Sequence, residues 1–390
     1  MPSRLPCLLV STLTAFALAA CGIAIEEPPF EATPIPTLVR PGSPPPLAPM
    51  PAAETTAEPA ARCPDPYPGG APPLPEGEVR DPTAPIRLHP QPDVVPLDPY
   101  QPLPFSRDAE LEDLLRDALG DDIDSFAIVV KNLADGSGAA INADRPFYAA
   151  SLFKVWVMYE VFHQRSLGLL SLDEEYIVSD YYESFGLGPR LTSACETVTL
   201  SRALQAMMSL SDNAAAVLLQ DRVGPANVNA SLAALGLTAS GLFEDELPTT
   251  AADMALILEA IARGQPLDAG AGQAMLDLLA SETLHDRLPA LLPEGTRVAH
   301  KTANWTNATH DAGIVYSPAA DHLTVVLSDR GYDDYPGPTI AELSKIAYEY
   351  YSAASAGQGQ PSARRAVRRA AANREEPRPS LAPLRPTGRS

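Results

Sequence analysis

Lysine is the scarcest of the permanently charged residues in this 390-residue chain: Lys131, Lys154, Lys301 and Lys345 stand among 28 basic residues. Arginine serves wherever a fixed positive charge is enough, but a guanidinium cannot act as an amine that gives up its proton. The four lysines are therefore the first candidates for chemistry. Cysteine is equally scarce, with Cys7, Cys21, Cys63 and Cys195, and none has the close-spaced partner of a metal-binding motif. No metal and no cofactor is expected. Acids outnumber bases, 49 to 28, for a net charge of −21, which argues against nucleic acid as a partner. No apolar run reaches the ~20 residues that a membrane-spanning helix needs.

The apolar stretch that is present, Leu5 to Ala20 after Arg4, reads as an export signal. Its end, Leu18-Ala19-Ala20-Cys21, resembles a bacterial lipoprotein cleavage box, which implies lipid on Cys21 and attachment to a membrane outside the cytoplasm. Most of the 42 prolines lie before Pro104, so residues 21–105 cannot bury a core and read as an extended linker. At ~3.1 Å per residue its reach is at most on the order of 250 Å. Beyond Ala353 the chain holds eight arginines and two glutamates, a net of +6 that leaves −27 for the rest; this tail reads as solvated and disordered. Removal of Cys7 and lipidation of Cys21 would leave Cys63 and Cys195, either as a disulfide in an oxidising compartment or as two free thiols.

Residues 106–353 have the pattern of one packed domain, expected to be a monomer. Helical spacing marks Asp108–Leu119, and two strand-like segments, Ser125–Leu133 and Ala139–Ala143, flank the turn Asp135-Gly136-Ser137-Gly138. A helix is expected from Ser151 to about Gln164. Residues 197–280 are largely helical, including Leu200–Leu210, Ala214–Val223, Ala226–Leu235 and Ala251–Arg263. Strands return at Arg297–Thr302, Asp311–Tyr316 and His322–Leu327, before a last helix at Ile340–Tyr351. Strands at both ends with helices between predict an α/β fold: one largely antiparallel sheet flanked by helices, plus an all-helical lobe. A ligand site is expected in the cleft between them.

Three short patterns carry candidate chemistry. In Ser151-Leu152-Phe153-Lys154, residues three apart on a helix share a face. The hydroxyl can thus meet an amine that acts as its base, provided burial or another cation lowers the amine's pKa. The plain alternative is a capping serine with an exposed lysine. Ser211-Asp212-Asn213 follows an apolar helix, either as proton relay and amide holder or simply as a cap between helices. Lys301-Thr302-Ala303 ends a strand, where a lysine and a threonine suit a carboxylate. His300 and His310 could approach across neighbouring strands but lack a third ligand for zinc. Tyr181 and Tyr182 are candidates for the cleft rim, and Trp156 and Phe153 for the buried face of the nucleophile helix.

In chain order these patterns resemble the Ser-x-x-Lys, Ser-Asp-Asn and Lys-Thr-Gly trio of class A β-lactamases and penicillin-binding proteins. Ala214-Ala215-Ala216, Thr249-Thr250-Ala251-Ala252-Asp253-Met254 and His310-Asp311-Ala312-Gly313 extend the likeness over roughly residues 120–350. The resemblance implies a serine hydrolase acting on an amide carbonyl, in a β-lactam or a peptidoglycan-like peptide. It implies Ser151 as nucleophile, Lys154 as its base, and Ser211 as relay to the leaving nitrogen. It further implies Asn213 as holder of a substrate amide, Lys301 and Thr302 as a carboxylate anchor, and the backbone N–H groups of Ser151 and Asn304 as an oxyanion hole. Two departures stand out. Ala303 replaces the glycine of the third motif, and the loop expected to carry a deacylating glutamate is short, with Glu244 the first candidate and Glu246 the second. A binding or sensor lipoprotein that does not turn over its ligand is the alternative.

Overall fold

The computed structural model describes residues 93–94, 96–186, 191–243 and 246–355. The expected export signal, Cys21, Cys63, Glu244 and the tail after residue 355 lie outside the described residues.

From the N-terminal side the elements are β1 (Ser106–Arg107), α1 (Ala109–Leu119), β2 (Phe126–Asn132), β3 (Ser137–Ile141), β4 (Phe147–Tyr148) and α2 (Phe153–Ser166). There follow β5 (Glu175–Ile177), α3 (Asp180–Ser184), β6 (Thr197–Thr199), α4 (Leu200–Ser209), α5 (Asn213–Val223), α6 (Pro225–Leu235) and β7 (Pro248–Thr249). The chain continues through α7 (Ala251–Arg263), α8 (Ala269–Leu279), β8 (Val298–Trp305), β9 (Ala308–Val315), β10 (His322–Ser328) and α9 (Gly337–Ser355). The main sheet has the order β1-β3-β2-β10-β9-β8. Its pairs are antiparallel except β1 with β3. The terminal strands do meet, at β2–β10, with Val325 opposite Val129.

Side chains alternate across a strand, and here both faces of the sheet are covered. Leu323, Val325 and Leu327 of β10 join the core shared with α2, α4, α5 and α7. Val326, with Ile128 and Val130 of β2, joins a second core against α1 and α9. Each fully buried Val or Leu contributes roughly 1.5–3 kcal/mol, so burial on both faces fixes the register. Gly313 of β9 permits the close approach of β8: a Cβ there would stand 2.4 Å from the Ala299 carbonyl oxygen.

Helix α2 is the hub of the helical lobe. Eleven of its residues, Lys154 to Gln164, are buried without interruption, the mark of a helix surrounded on all sides. Trp156 is among them, whereas Phe153 is only partly buried. Asp108 caps α1 through Glu110 N and Leu111 N, and Thr250 caps α7 through Asp253 N, as short polar side chains do at helix starts.

The packed chain begins earlier than residue 106. The Tyr100 hydroxyl donates to Glu259 Oε1 (2.9 Å), as does Leu103 N (2.6 Å), and Lys131 Nζ reaches the Leu103 carbonyl (2.6 Å). Lys131 and Glu259 also form a buried ion pair. The end of the proline-rich segment is held by that pair, a long-range contact that composition does not encode.

Candidate active site

Ser151 lies in a single 3-10 turn, Ala150–Leu152, that runs into α2. The turn packs against β8 and β9. Just before it, β4 pairs with β7, Ala149 N donates to Leu247 O (2.7 Å), and His310 Nε2 bonds the Tyr148 carbonyl oxygen (2.9 Å). Ala150 has φ 45° and Ser211 φ 57°, the left-handed region that costs a non-glycine residue of order 1–3 kcal/mol. Strained backbone therefore flanks the expected nucleophile and forms the expected relay. Ser151 is partly exposed, and its hydroxyl makes no hydrogen bond with a described residue.

Lys154 is fully buried. Its ammonium donates to Ser211 O (2.6 Å), Ser211 Oγ (2.9 Å) and Asn213 Oδ1 (2.6 Å). Those bonds use all three of its donors, and none goes to Ser151. Among the described residues no carboxylate touches it. Burial first, and the Lys301 charge second, hold its pKa well below the ordinary lysine range, against the opposing pull of Asp212 and Glu282. The first and second motifs are thus joined through an amine disposed to lose its proton.

In the second motif the capping role and the site geometry coexist. Asp212 accepts from Ala215 N (3.0 Å) as the cap of α5. Its other oxygen accepts from Leu191 N (2.9 Å), Thr192 N (3.3 Å) and Thr192 Oγ1 (2.9 Å). Asp212 fixes the turn, leaving Ser211 and Asn213 to face Lys154.

The third motif holds a surprise. Lys301 is fully buried and paired with the buried carboxylate of Glu282. The same Oε2 accepts from Thr302 N (3.3 Å) and Thr302 Oγ1 (3.1 Å), while Oε1 accepts from Thr283 N (3.0 Å) and Leu284 N (3.2 Å). The expected carboxylate anchor already holds a carboxylate, that of the chain itself. Burial lowers the Lys301 pKa, and the Glu282 charge and hydrogen bond oppose the fall. Thr283 ties this segment to the second motif, with N and Oγ1 both bonded to the Ser209 carbonyl oxygen (3.1 and 2.9 Å).

Ala303 is 1% exposed and packs into the core shared with the lobe, and β8 runs through it unbroken to Trp305. Asn304 Oδ1 accepts from Arg287 Nη2 (2.7 Å); Nη1 of the same buried arginine reaches Ala303 O (3.2 Å) and His310 O (2.8 Å). Neither Glu282 nor Arg287 carries a motif signature in the sequence. The available signal is scarcity: a buried glutamate needs a cation, and few lysines exist to supply one.

Of the remaining candidates, Glu246 is exposed. His310 accepts from Ser328 N (3.1 Å) on Nδ1, so both ring nitrogens are engaged, and burial lowers its pKa to about 4. His300 Nδ1 bonds Asp311 (2.9 Å). Tyr181 is exposed, but Tyr182 is buried, with its hydroxyl on Asp221 (2.8 Å). Tyr148 and Trp305, both exposed, lie with ring centroids 5.8 Å apart beside the Ser151 turn.

The family model described as "Beta-lactamase enzyme family" matches residues 108–351. The extended-spectrum beta-lactamase PER-1 of Pseudomonas aeruginosa is 29% identical over 238 residues, covering 54% of this chain and 77% of that protein. Among solved structures, PBP-A matches with a TM-score of 0.59 at 21% identity, covering 65% of this chain and 99% of that one. A beta-lactamase from Sphaerobacter thermophilus matches with a TM-score of 0.57 at 24% identity, covering 62% and 97%. These two likenesses are likenesses of fold. The family match, in contrast, runs over more than half of the sequence: this chain belongs to the beta-lactamase enzyme family.

Proposed function

We propose that Ser151 attacks the carbonyl of a strained or peptide-like amide and becomes acylated. The observation that carries this reading is the amine of Lys154, buried, bonded to Ser211 and Asn213, and without a carboxylate partner among the described residues. In the proposed step Ser151 Oγ bonds the carbonyl carbon while the C–N bond breaks. The hydroxyl proton passes to neutral Lys154 and on through Ser211 Oγ to the leaving nitrogen. Lys154 occupies Asn213 Oδ1, and the Asn213 amide N–H groups, unbonded among the described residues, are placed to hold a substrate carbonyl. The backbone N–H groups of Ser151 and Asn304 serve as oxyanion donors.

Release of the acyl group is a separate matter. Exposed Glu246 is a weak candidate for activating water, and an acyl-enzyme that forms readily and hydrolyses slowly is the favoured outcome. A mutant of PBP-A has been captured as an acyl-enzyme with penicillin G. The disulfide at Cys195 supports placement outside the cytoplasm, where disulfides persist, with lipid on Cys21 as the tether. Its other half lies outside the described residues.

Incubation with penicillin followed by intact-protein mass spectrometry should show one adduct, absent from Ser151→Ala. A chromogenic cephalosporin should give a stoichiometric burst with slow subsequent turnover. A wild-type protein left unmodified by both penicillin and its methyl ester at saturation would overturn the reading.

A further inference from the structure

We propose that Glu282 sets the substrate class of this site: it fills the Lys301–Thr302 anchor with an internal carboxylate, so that preferred acyl donors carry no carboxylate at that end. The inference rests on acylation of Ser151 as proposed above.

The geometry makes the case in three parts. First, one oxygen of Glu282 takes the Lys301 ammonium, the Thr302 hydroxyl and the Thr302 N–H together. Those are the groups that would receive a substrate's carboxylate. Second, the other oxygen accepts two successive backbone N–H groups, from Thr283 and Leu284. Thr283 is in turn bonded to Ser209, so the carboxylate is fixed at the seam between the second motif and β8. Third, Glu282, Lys301 and Thr302 are each at most 2% exposed. An incoming carboxylate would have to displace a fully bonded internal one or lie against it, and like charges brought together across an interface are strongly disfavoured. The buried guanidinium of Arg287 offers little relief. It is engaged by Ala303 O, His310 O, Asn304 Oδ1 and the Tyr335 hydroxyl.

A neutral donor meets no such penalty. An ester or an amide in place of the carboxylate needs only a hydrogen-bonding partner and a non-repelling surface. Glu282 is thus a specificity device that acts by exclusion, while the acylation machinery of Ser151, Lys154 and Ser211 is left intact.

The test compares penicillin with its methyl ester, two compounds that share the reacting amide and differ in the carboxylate. Adduct formation is timed by intact-protein mass spectrometry on the wild-type chain, with Ser151→Ala as the blank. The ester should acylate at least about tenfold faster than the acid, the equivalent of a modest charge repulsion. In Glu282→Gln, which keeps the shape and removes the charge, the acid-to-ester rate ratio should rise at least about tenfold. A merely structural role would slow both compounds alike and leave that ratio unchanged. If Glu282→Gln does not fold, the wild-type ratio decides alone. Equal or faster labelling by the acid in the wild-type chain overturns this inference while leaving Ser151 acylation standing. Labelling by neither compound overturns the acylation reading, and this inference with it.

Discussion

Lys154 and Lys301 are the same residue type, both fully buried and close enough for the charge of one to act on the other. Their partners separate them. Lys154 is bonded to a carbonyl, a hydroxyl and an amide oxygen, all neutral; Lys301 has a carboxylate. Burial penalises an ammonium wherever it occurs, and only a counter-ion holds the proton against that penalty. The contrast teaches that a buried lysine is a base or an anchor according to whether an acid lies within hydrogen-bond reach. One motif supplies the base, and a glutamate outside every motif makes the anchor.

The strongest way to break the contrast is at the base. Lys154→Arg keeps the charge but cannot give up a proton, so the rate of Ser151 acylation should fall about 10²–10⁴-fold, read as adduct formation with the methyl ester. A variant as fast as wild type would remove Lys154 from the reaction. At the anchor the loss should appear in stability instead. Glu282→Ala strands the Lys301 charge in the interior and should lower the unfolding free energy by about 3–5 kcal/mol, measured by urea titration. Glu259→Ala, which breaks the buried Lys131 pair, should behave similarly and leave the acid-to-ester preference unchanged.

His322 sharpens the comparison as a buried titratable group with no counter-ion among the described residues and no place in the cleft. Its Nδ1 bonds the Ala320 carbonyl oxygen (3.0 Å), and burial lowers its pKa from 6.5 to about 4. Between those values the unfolded chain takes up a proton that the folded one refuses. Stability is therefore complete above pH 6.5 and lost as the pH falls toward 4, by roughly 3 kcal/mol from this residue. His322→Phe should make that part of the stability–pH curve shallower, the remainder coming from His310, which is shifted alike, as followed by thermal melts.

Two smaller effects complete the set. The acylation rate should rise with pH as Lys154 deprotonates, below the ordinary lysine range. In Glu282→Gln that rise should move to lower pH, because the Glu282 charge helps Lys154 keep its proton. An unmoved profile would show that Glu282 and Lys154 are electrically separate. Ala150→Gly should relieve the φ of 45° and raise stability by up to about 1 kcal/mol, seen as a higher urea midpoint.

Much of the element order was legible in the sequence because local periodicity and caps encode it. Helix α7 spans the expected Ala251–Arg263, and β10 departs from expectation by one residue. The third-motif strand runs three residues past the expected end at Thr302, because pairing of Ala303, Asn304 and Trp305 with β9 overrides a polar sequence. Two-residue strands such as β4 and β7 leave no periodicity at all; they exist because the chain before Ser151 meets the chain before α7. The docking of Tyr100 and Leu103 on Glu259 is not legible in the sequence, because a proline-rich composition signals extension and extended chain can still be bound.

What the sequence by itself determined is the set of reactive groups and their local frames: a serine three residues before a lysine, a capped turn, and a strand with Lys301. Side-chain spacing on a helix or strand is a local property, and scarcity of lysine makes the candidates stand out. The tertiary structure alone decided which lysine has a counter-ion. Glu282 and Lys301 are brought together across a long connection between α8 and β8, and a pKa depends on the charges nearest in space rather than in sequence.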